Sequence, residues 1–277
     1  LFPYTTLFRS SDPDEGWASE FEQGHYRQDR NLIRKIASGI DDSTQPQFVL
    51  LDAQRVGFEL CRARISAALD ATRDRKLVFL IEGPPGSGKS VIAAKLWAEF
   101  ARDPRLASGD GCAFVSTSGS QKSNWCEAMT KALGSSRARS VVVSANEFNP
   151  GMNSSWANNE RAHGREASAE TWRENLLRHR VEGKAPPIRD AGLDIAIVDE
   201  AHALIDPTVA ATAGAPMSGW TIHAGPQAYH ILRGARFAVF LLDPKQRYRD
   251  NETTTSDRII ELAQLFARVR QDDAATG

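Results

Sequence analysis

Residues 77–100 of the chain, LVFLIEGPPGSGKSVIAAKLWAEF, decide its fold. The stretch opens with the apolar run 77–82, which ends at a Gly-Pro-Pro-Gly turn and has the length of a strand buried on both faces. A helical pattern follows from Lys89 to about Ala101. A buried strand, a glycine-rich turn and a helix in this order form the first half of a β-α-β unit. The stretch therefore predicts an α/β fold.

The turn between that strand and helix, GPPGSGKS at 83–90, satisfies the phosphate-binding pattern G-x-x-x-x-G-K-[ST] in full. Its glycines let backbone N–H groups point inward at phosphate oxygens, and the following helix adds its positive dipole end. Lys89 is expected to contact the β- and γ-phosphates of ATP, and the Ser90 hydroxyl to bind Mg²⁺. A chance occurrence of this pattern would not be expected to lie between a buried strand and a helix. The predicted nucleotide-binding residues of this P-loop are Gly83, Pro84, Pro85, Gly86, Ser87, Gly88, Lys89 and Ser90.

A second buried strand lies within DIAIVDEAH at 194–202 and ends in Asp199 and Glu200. Ligands of open α/β sheets bind at the carboxyl ends of the strands. We expect Asp199 to hold Mg²⁺ from outside its inner ligand sphere or through water, and Glu200 to orient or deprotonate the attacking water. Acidic residues are also common at helix N-termini, but the preceding P-loop favours the catalytic interpretation. An Asp-Glu pair indicates hydrolysis.

Further apolar runs alternate with helical patterns, which predicts a mostly parallel sheet with helices on both faces. In the helix predicted at 52–76, four apolar residues share one face: Phe58, Cys61, Ile65 and Leu69. The additional predicted strands are 112–117, 140–144, 193–198 and 237–242, and the additional predicted helices are 52–76, 120–133, 169–181 and 257–270.

The segment VFLLDPKQRYR at 239–249 resembles the D-x-x-Q motif III of superfamily 1 helicases. That resemblance implies that Gln246 senses the γ-phosphate and that Asp243 lies at the nucleotide. The segment LLDAQR at 50–55 resembles the Q motif of the same proteins, which implies that Gln54 lies near the adenine. The DEAH sequence fits this resemblance, with His202 as a coupling residue.

The ordered set FVLLDAQ, FLIEGPPGSGKSVIA, DIAIVDEAH and VFLLDPKQ resembles one family more closely, the Schlafen-like (group 3) DNA/RNA helicase domain. The resemblance extends from about Gln47 to Phe266. It implies a RecA-like P-loop core that uses ATP and Mg²⁺ and acts on DNA or RNA in the full-length protein. It also implies an ATPase or helicase of the EC 3.6.4 type, with Lys89, Glu200 and Gln246 as catalytic residues.

The first ten residues, LFPYTTLFRS, fit the in-frame translation of a common short-read sequencing adapter. We therefore leave 1–10 out of the fold reasoning and take 11–46 as a polar N-terminal segment. Residues 47–277 are expected to form the first RecA-like domain. The family's second domain, with its arginine finger, is not recognisable here, so we expect a fragment that binds ATP and hydrolyses it slowly.

Composition excludes several classes of protein. The net charge of −1 gives no global basic field, although a local basic groove would be compatible with it. Cys61, Cys112 and Cys126 lack the spacing of a zinc site or a disulfide framework, which favours buried, reduced thiols in a cytoplasmic protein. No apolar run approaches the ~20 residues that span a bilayer, so no membrane partner is expected. Oligomeric state is not predictable from this sequence.

Other polar and aromatic residues give weaker signals. We expect the histidines at 25, 163, 179, 223 and 230 to lie on the surface or in loops, because they share no metal-ligand spacing. Ser116 and Thr117 either contact nucleic acid or cap a helix, and capping is commoner. Trp125 is expected in the core, whereas Trp156 is the better candidate for stacking on bases. Arg247 and Arg249 face phosphates or lie in a solvated turn.

Two other functions are compatible with the P-loop. One is an AAA-type ATPase that remodels proteins as a ring, although the 110 positions between Lys89 and Asp199 are many for that class and LLDPKQ fits it poorly. The other is a single-domain NTP-dependent switch. Nucleic-acid-stimulated hydrolysis by the full-length protein would argue against the switch.

Overall fold

The chain forms an open sheet between two layers of helices, as seen in a computed structural model. The structure describes residues 7–9, 50, 52–70, 76–101, 103–106, 111–133, 141–148, 193–206, 226–246 and 254–276. The strands are β1 (Leu7–Arg9), β2 (Leu77–Glu82), β3 (Cys112–Ser116), β4 (Val142–Ser144), β5 (Leu193–Val198) and β6 (Ala235–Leu242). The helices are α1 (Asp52–Leu69), α2 (Lys89–Phe100), α3 (Gly119–Leu133), α4 (Gln227–Gly234) and α5 (Ser256–Thr276).

The described strands pair in parallel in the order β1-β2-β6-β5-β3-β4. Strand β6, the last in sequence, lies between β2 and β5. Its Phe240 is in register with Leu80 on one side and Val198 on the other. Because parallel strands end at the same edge of a sheet, the segments that follow β2, β6 and β5 emerge side by side.

Two apolar clusters cover the two faces of the sheet, and β6 contributes to both. Every residue of β6 is buried. Phe237, Val239 and Leu241 face the cluster that contains α1, α2 and α3. The alternate residues, Ala238, Phe240 and Leu242, face the cluster that contains α4 and α5. A strand buried on both faces is largely apolar, which explains why this strand has no polar alternation. Its one charged residue, Arg236, donates to the carbonyl of Ala68.

Helix α1 packs as its periodicity predicts. Cys61 and Ile65 are buried, and Phe58 and Leu69 pack against the same cluster. The helix ends at Leu69, short of the predicted end at 76. Buried Trp97 of α2 donates from Nε1 to the carbonyl of Cys112, 3.0 Å away, and so ties α2 to β3.

Residues at and just before the start of α5 contact the end of β2 and the segment after the DEAH sequence. The Ser256 hydroxyl donates to a carboxylate oxygen of Glu82, at the end of β2. The Thr254 hydroxyl donates to the carbonyl of Leu204, 2.8 Å away. Arg258 Nε lies 2.7 Å from Asp206 Oδ2, and Asp206 is fully buried. These contacts fix α5 against residues that flank the P-loop and the DEAH sequence.

The predicted α/β fold is confirmed. The predicted strands agree with β2 to β6 to within about two residues at each end. The backbone of Leu7–Arg9 pairs with β2, although 1–10 was left out of the fold reasoning. Strand pairing uses backbone groups that any sequence supplies, so this pairing does not test the adapter interpretation. The predicted helix at 169–181 lies outside the described residues.

Among the described residues, no helix is long and apolar enough to cross a membrane.

Replacing Arg258 by Ala should lower the free energy of unfolding by about 2 to 3 kcal/mol. The variant removes the Arg258 guanidinium from the buried Asp206 carboxylate, and partial exposure of Arg258 places the cost near the lower end for such pairs. Glu261 is the matched control, because it contacts the same guanidinium at an exposed position. Glu261→Ala should cost about 0.5 kcal/mol or less. Equal shifts of the urea midpoint in both variants would contradict this account.

Candidate nucleotide-binding site

Three loops meet at the carboxyl edge of the sheet. The P-loop follows β2, Asp199 follows β5 and Asp243 follows β6. The Gly83 amide donates to the carbonyl of Leu242, 3.2 Å away, so the pairing of β2 with β6 continues into the P-loop. The strand order therefore gathers motifs that are separated by up to 160 positions in the sequence.

Two glycines shape the P-loop. Gly86 (φ 77°) and Gly88 (φ 83°) are left-handed, a conformation that is costly for residues with a Cβ. The Ser87 amide closes a turn onto the carbonyl of Pro84 at 3.2 Å. Helix α2 begins directly after Gly88, whose carbonyl accepts from the amides of Val91 and Ile92. The loop thus leads into a helix N-terminus, as an anion site requires.

Lys89 is held inside the P-loop. Its ammonium donates to the carbonyls of Gly83 (2.7 Å) and Pro84 (2.9 Å), and the residue is only 8% exposed. Burial lowers the pKa of Lys89, while the carboxylates of Glu200 and other nearby acidic residues oppose the shift. The loop therefore contains a desolvated cation next to a group of carboxylates.

Asp199 is buried (2% exposed) and accepts a hydrogen bond from the Ser90 side chain. Burial raises the pKa of Asp199, and the bonds from Ser90 and from the Glu200 amide oppose that rise. A hydroxyl and a carboxylate are oxygen ligands of the kind that Mg²⁺ prefers, and Mg²⁺ usually retains several waters. No cluster of three or more His, Cys, Asp or Glu residues that could hold a metal occurs in the described part of the chain.

Glu200 has a strained backbone. Its dihedrals (φ 55°, ψ 45°) are left-handed, and among the described residues no other non-glycine residue has a positive φ. Such a conformation costs of order 1 to 2 kcal/mol and concentrates at functional sites. Burial, and then the charge of Asp199, raise the pKa of Glu200. A carboxylate with a raised pKa is a stronger base.

His202 connects Glu200 with the end of β6. The Asp243 amide donates to His202 Nδ1, 3.2 Å away, so in the neutral ring the proton lies on Nε2. That nitrogen is 3.2 Å from Glu200 Oε2, without the alignment of a hydrogen bond. Burial lowers the pKa of His202, which favours the neutral form. The structure thus brings the predicted coupling residue to both motifs.

Asp243 and Gln246 form a tight turn after β6. Asp243 Oδ1 accepts from the Lys245 amide at 2.9 Å, and the Gln246 amide lies 3.4 Å from the Asp243 carbonyl. Asp243 is 1% exposed, and its Oδ2 has no hydrogen-bond partner among the described residues. A buried carboxylate oxygen that lacks a hydrogen bond lowers the stability of the fold unless a ligand or water binds to it.

Gln54 reaches the P-loop from α1. Its Nε2 donates to the carbonyl of Ser87 at 2.8 Å. A Cβ added to Gly88 would lie 2.4 Å from the same nitrogen. The predicted contact of Gln54 with the adenine stays a prediction.

The structure settles several weaker predictions. Ser116 is buried, and its hydroxyl bonds within the following loop, to the carbonyl of Ser118 and to Gln121 Oε1. Trp125 is in the core as predicted, with its ring 4.3 Å from that of Phe114. The expectation of a surface or loop position was wrong for His230, which is 1% exposed within α4. Trp156, Arg247 and Arg249 lie outside the described residues.

Sequence reasoning missed Gln227 at the start of α4. Its Oε1 accepts from the Ile205 amide at 2.8 Å, its own amide donates to the Ile205 carbonyl, and its Nε2 donates to Asn146 Oδ1. This buried carboxamide joins the segment after the DEAH sequence to the end of β4. Pro226 before an apolar stretch was the available signal for the helix, but nothing in the sequence singled out the glutamine.

Comparison with protein-family models matches residues 76–274 to the Schlafen group 3, DNA/RNA helicase domain. The match spans more than half of the chain and contains the P-loop, the DEAH sequence and the D-x-x-Q turn. The chain belongs to this family. The comparison with curated proteins found no match. Gln54 precedes the matched Schlafen group 3 region, so its assignment depends on its contact with the P-loop and on the motif resemblance.

Replacing Glu200 by Gly should give a more stable protein than replacing it by Gln, by about 0.5 to 1 kcal/mol. Both variants remove the buried carboxylate, but only glycine adopts the left-handed backbone without strain. The greater freedom of glycine in the unfolded chain offsets part of this gain in stability. Urea unfolding of the two variants side by side provides the measurement. A Gln variant as stable as the Gly variant would mean that the backbone at 200 is not strained.

Proposed function

We propose that this chain is an ATP-binding and ATP-hydrolysing RecA-like motor domain of a DNA/RNA helicase. One observation carries the proposal. The P-loop, the Asp199-Glu200 pair and the Asp243–Gln246 turn follow three adjacent parallel strands and act on one another electrostatically. Membership of the Schlafen group 3 helicase domain family supports a helicase role.

The P-loop is suited to the phosphates of ATP. Its left-handed glycines and the start of α2 present backbone N–H groups, and Lys89 supplies the cation. Ser90 and Asp199 would hold Mg²⁺, which when bound offsets the negative charge of the phosphates. In this arrangement the Lys89 ammonium exchanges its bonds to the loop carbonyls for bonds to phosphate oxygens.

Glu200 would act as the base. A water oxygen attacks the γ-phosphorus and passes a proton to the Glu200 carboxylate. The bond from the γ-phosphorus to the β–γ bridging oxygen breaks, which yields ADP and phosphate. Gln246, at the end of the central strand, would contact the γ-phosphate and report its loss. The fast reaction would need an arginine from another domain, so the chain alone should turn over slowly.

Substitutions at Glu200 and Lys89 should separate catalysis from binding. Glu200→Gln should lower kcat for ATP hydrolysis by about 10²- to 10⁴-fold with little change in ATP affinity, because it removes only the base. Lys89→Ala should weaken ATP binding itself. The matched control is Lys95→Ala, because Lys95 lies on the same helix over the Phe58 ring, away from the loop. Calorimetric titration with Mg·ATP and a phosphate-release assay provide the two readings.

Absence of ATP binding by the wild-type chain would refute the proposal. Turnover as fast as that of complete motor proteins, without any second domain, would contradict the helicase part and favour a self-contained ATPase. Stimulation of hydrolysis by DNA or RNA in the full-length protein would support it.

A further inference from the structure

Gln54 contacts the P-loop backbone from outside the matched domain. Its side-chain nitrogen lies 2.8 Å from the carbonyl oxygen of Ser87, a residue 33 positions further along the sequence. The contact is partly buried, so water competes with it less than at an open surface. Helix α1 thereby reaches the loop that is proposed to bind phosphate.

The position of α1 is fixed independently of this contact. Gly57, one turn beyond Gln54, lies against α2, where a Cβ would be 4.0 Å from Ile92 Cδ1. Cys61 and Ile65 continue the same face into the core. Because the helix is anchored by packing, the Gln54 carboxamide is presented to the loop at a defined place.

The bond to Ser87 also orients the next amide. No cis peptide bond occurs among the described residues. In a trans peptide the C=O and the following N–H point in opposite directions. Holding the Ser87 carbonyl toward α1 therefore turns the Gly88 N–H away from α1. Gly88 is also where α2 begins, since its carbonyl accepts from Val91 and Ile92.

Steric contact reinforces the hydrogen bond. A Cβ on Gly88 would lie 2.4 Å from Gln54 Nε2 and 3.0 Å from its Cδ. The carboxamide therefore lies directly against the glycine whose left-handed φ gives the loop its curl. Gly88 satisfies two requirements, the backbone conformation and the close approach of Gln54.

We propose that Gln54 is a positioning residue that holds the Ser87–Gly88 peptide in its anion-binding orientation, and that it does not read the base. The inference depends on the proposed nucleotide binding and replaces the adenine contact implied by motif resemblance. Its consequence is that Gln54 affects every ligand with a triphosphate chain equally. ATP, GTP and inorganic triphosphate should all depend on it to the same degree.

The first test measures binding of ATP, GTP and inorganic triphosphate, each with Mg²⁺, to the whole chain and to Gln54→Ala. We expect affinity for all three to fall by about fivefold, the effect of one net hydrogen bond. Gln54→Glu should reduce it further, because a carboxylate repels the Ser87 carbonyl. Arg55→Ala is the matched control, since Arg55 is a neighbouring exposed residue whose guanidinium pairs with Asp52 in the first turn of α1. A loss confined to ATP, or no loss at all, would overturn the inference.

The second test needs no nucleotide. Hydrogen–deuterium exchange of the Ser87, Val91 and Ile92 amides, whose bonds define the loop and the first turn of α2, should accelerate in Gln54→Ala but not in Arg55→Ala. Unchanged exchange in the glutamine variant would overturn the inference. If the wild-type chain bound none of the three ligands, the proposed function would fail, and exchange would still decide whether Gln54 positions the loop.

Discussion

The insertion of β6 between β2 and β5 is the constraint on which the rest of the structure depends. Strand spacing of about 4.8 Å places the P-loop strand and the Asp199 strand roughly 10 Å apart, with the Asp243 turn between them. That separation suits a phosphate chain bound between loop and acid. All residues of the strand are buried, and apart from Arg236 their side chains are apolar. This composition allows the strand to lie in the middle of the sheet.

Burial at this edge of the sheet sets up opposing electrostatic demands. Desolvation drives Lys89, Asp199 and Glu200 toward neutrality. The lysine and the two carboxylates favour one another's charged forms, whereas the charge of Asp199 opposes the ionisation of Glu200. The left-handed backbone of Glu200 adds further cost, as does the Asp243 Oδ2 atom, for which the described part of the chain supplies no hydrogen-bond partner. Such an arrangement lowers the stability of the free protein. A ligand with several charges would bind more favourably for the same reason, because the ligand would compensate charged and polar groups that the fold leaves uncompensated.

Local patterns predicted much of this structure, and long-range contacts account for what they missed. Buried parallel strands are continuous apolar runs, so β2, β5 and β6 were recognisable, and the P-loop and the acidic pair followed from their positions at strand ends. Helix α4 was missed because eight residues give little periodicity beside a Gly- and Ala-rich stretch. The contacts of Gln54 with Ser87 and of His202 with Asp243 join distant segments, and no spacing rule encodes them.

The anchoring of α5 has a mechanical consequence. Residues at and just before its start bond to residues that flank both the P-loop and the DEAH sequence, while its 21 residues extend for about 30 Å. Ile259, Leu262 and Phe266 also pack into the apolar cluster on the sheet, so the helix is fixed along its first half as well as at its start. A shift of Glu82 or Leu204 would therefore be transmitted through the start of the helix to the apolar cluster on this face of the sheet.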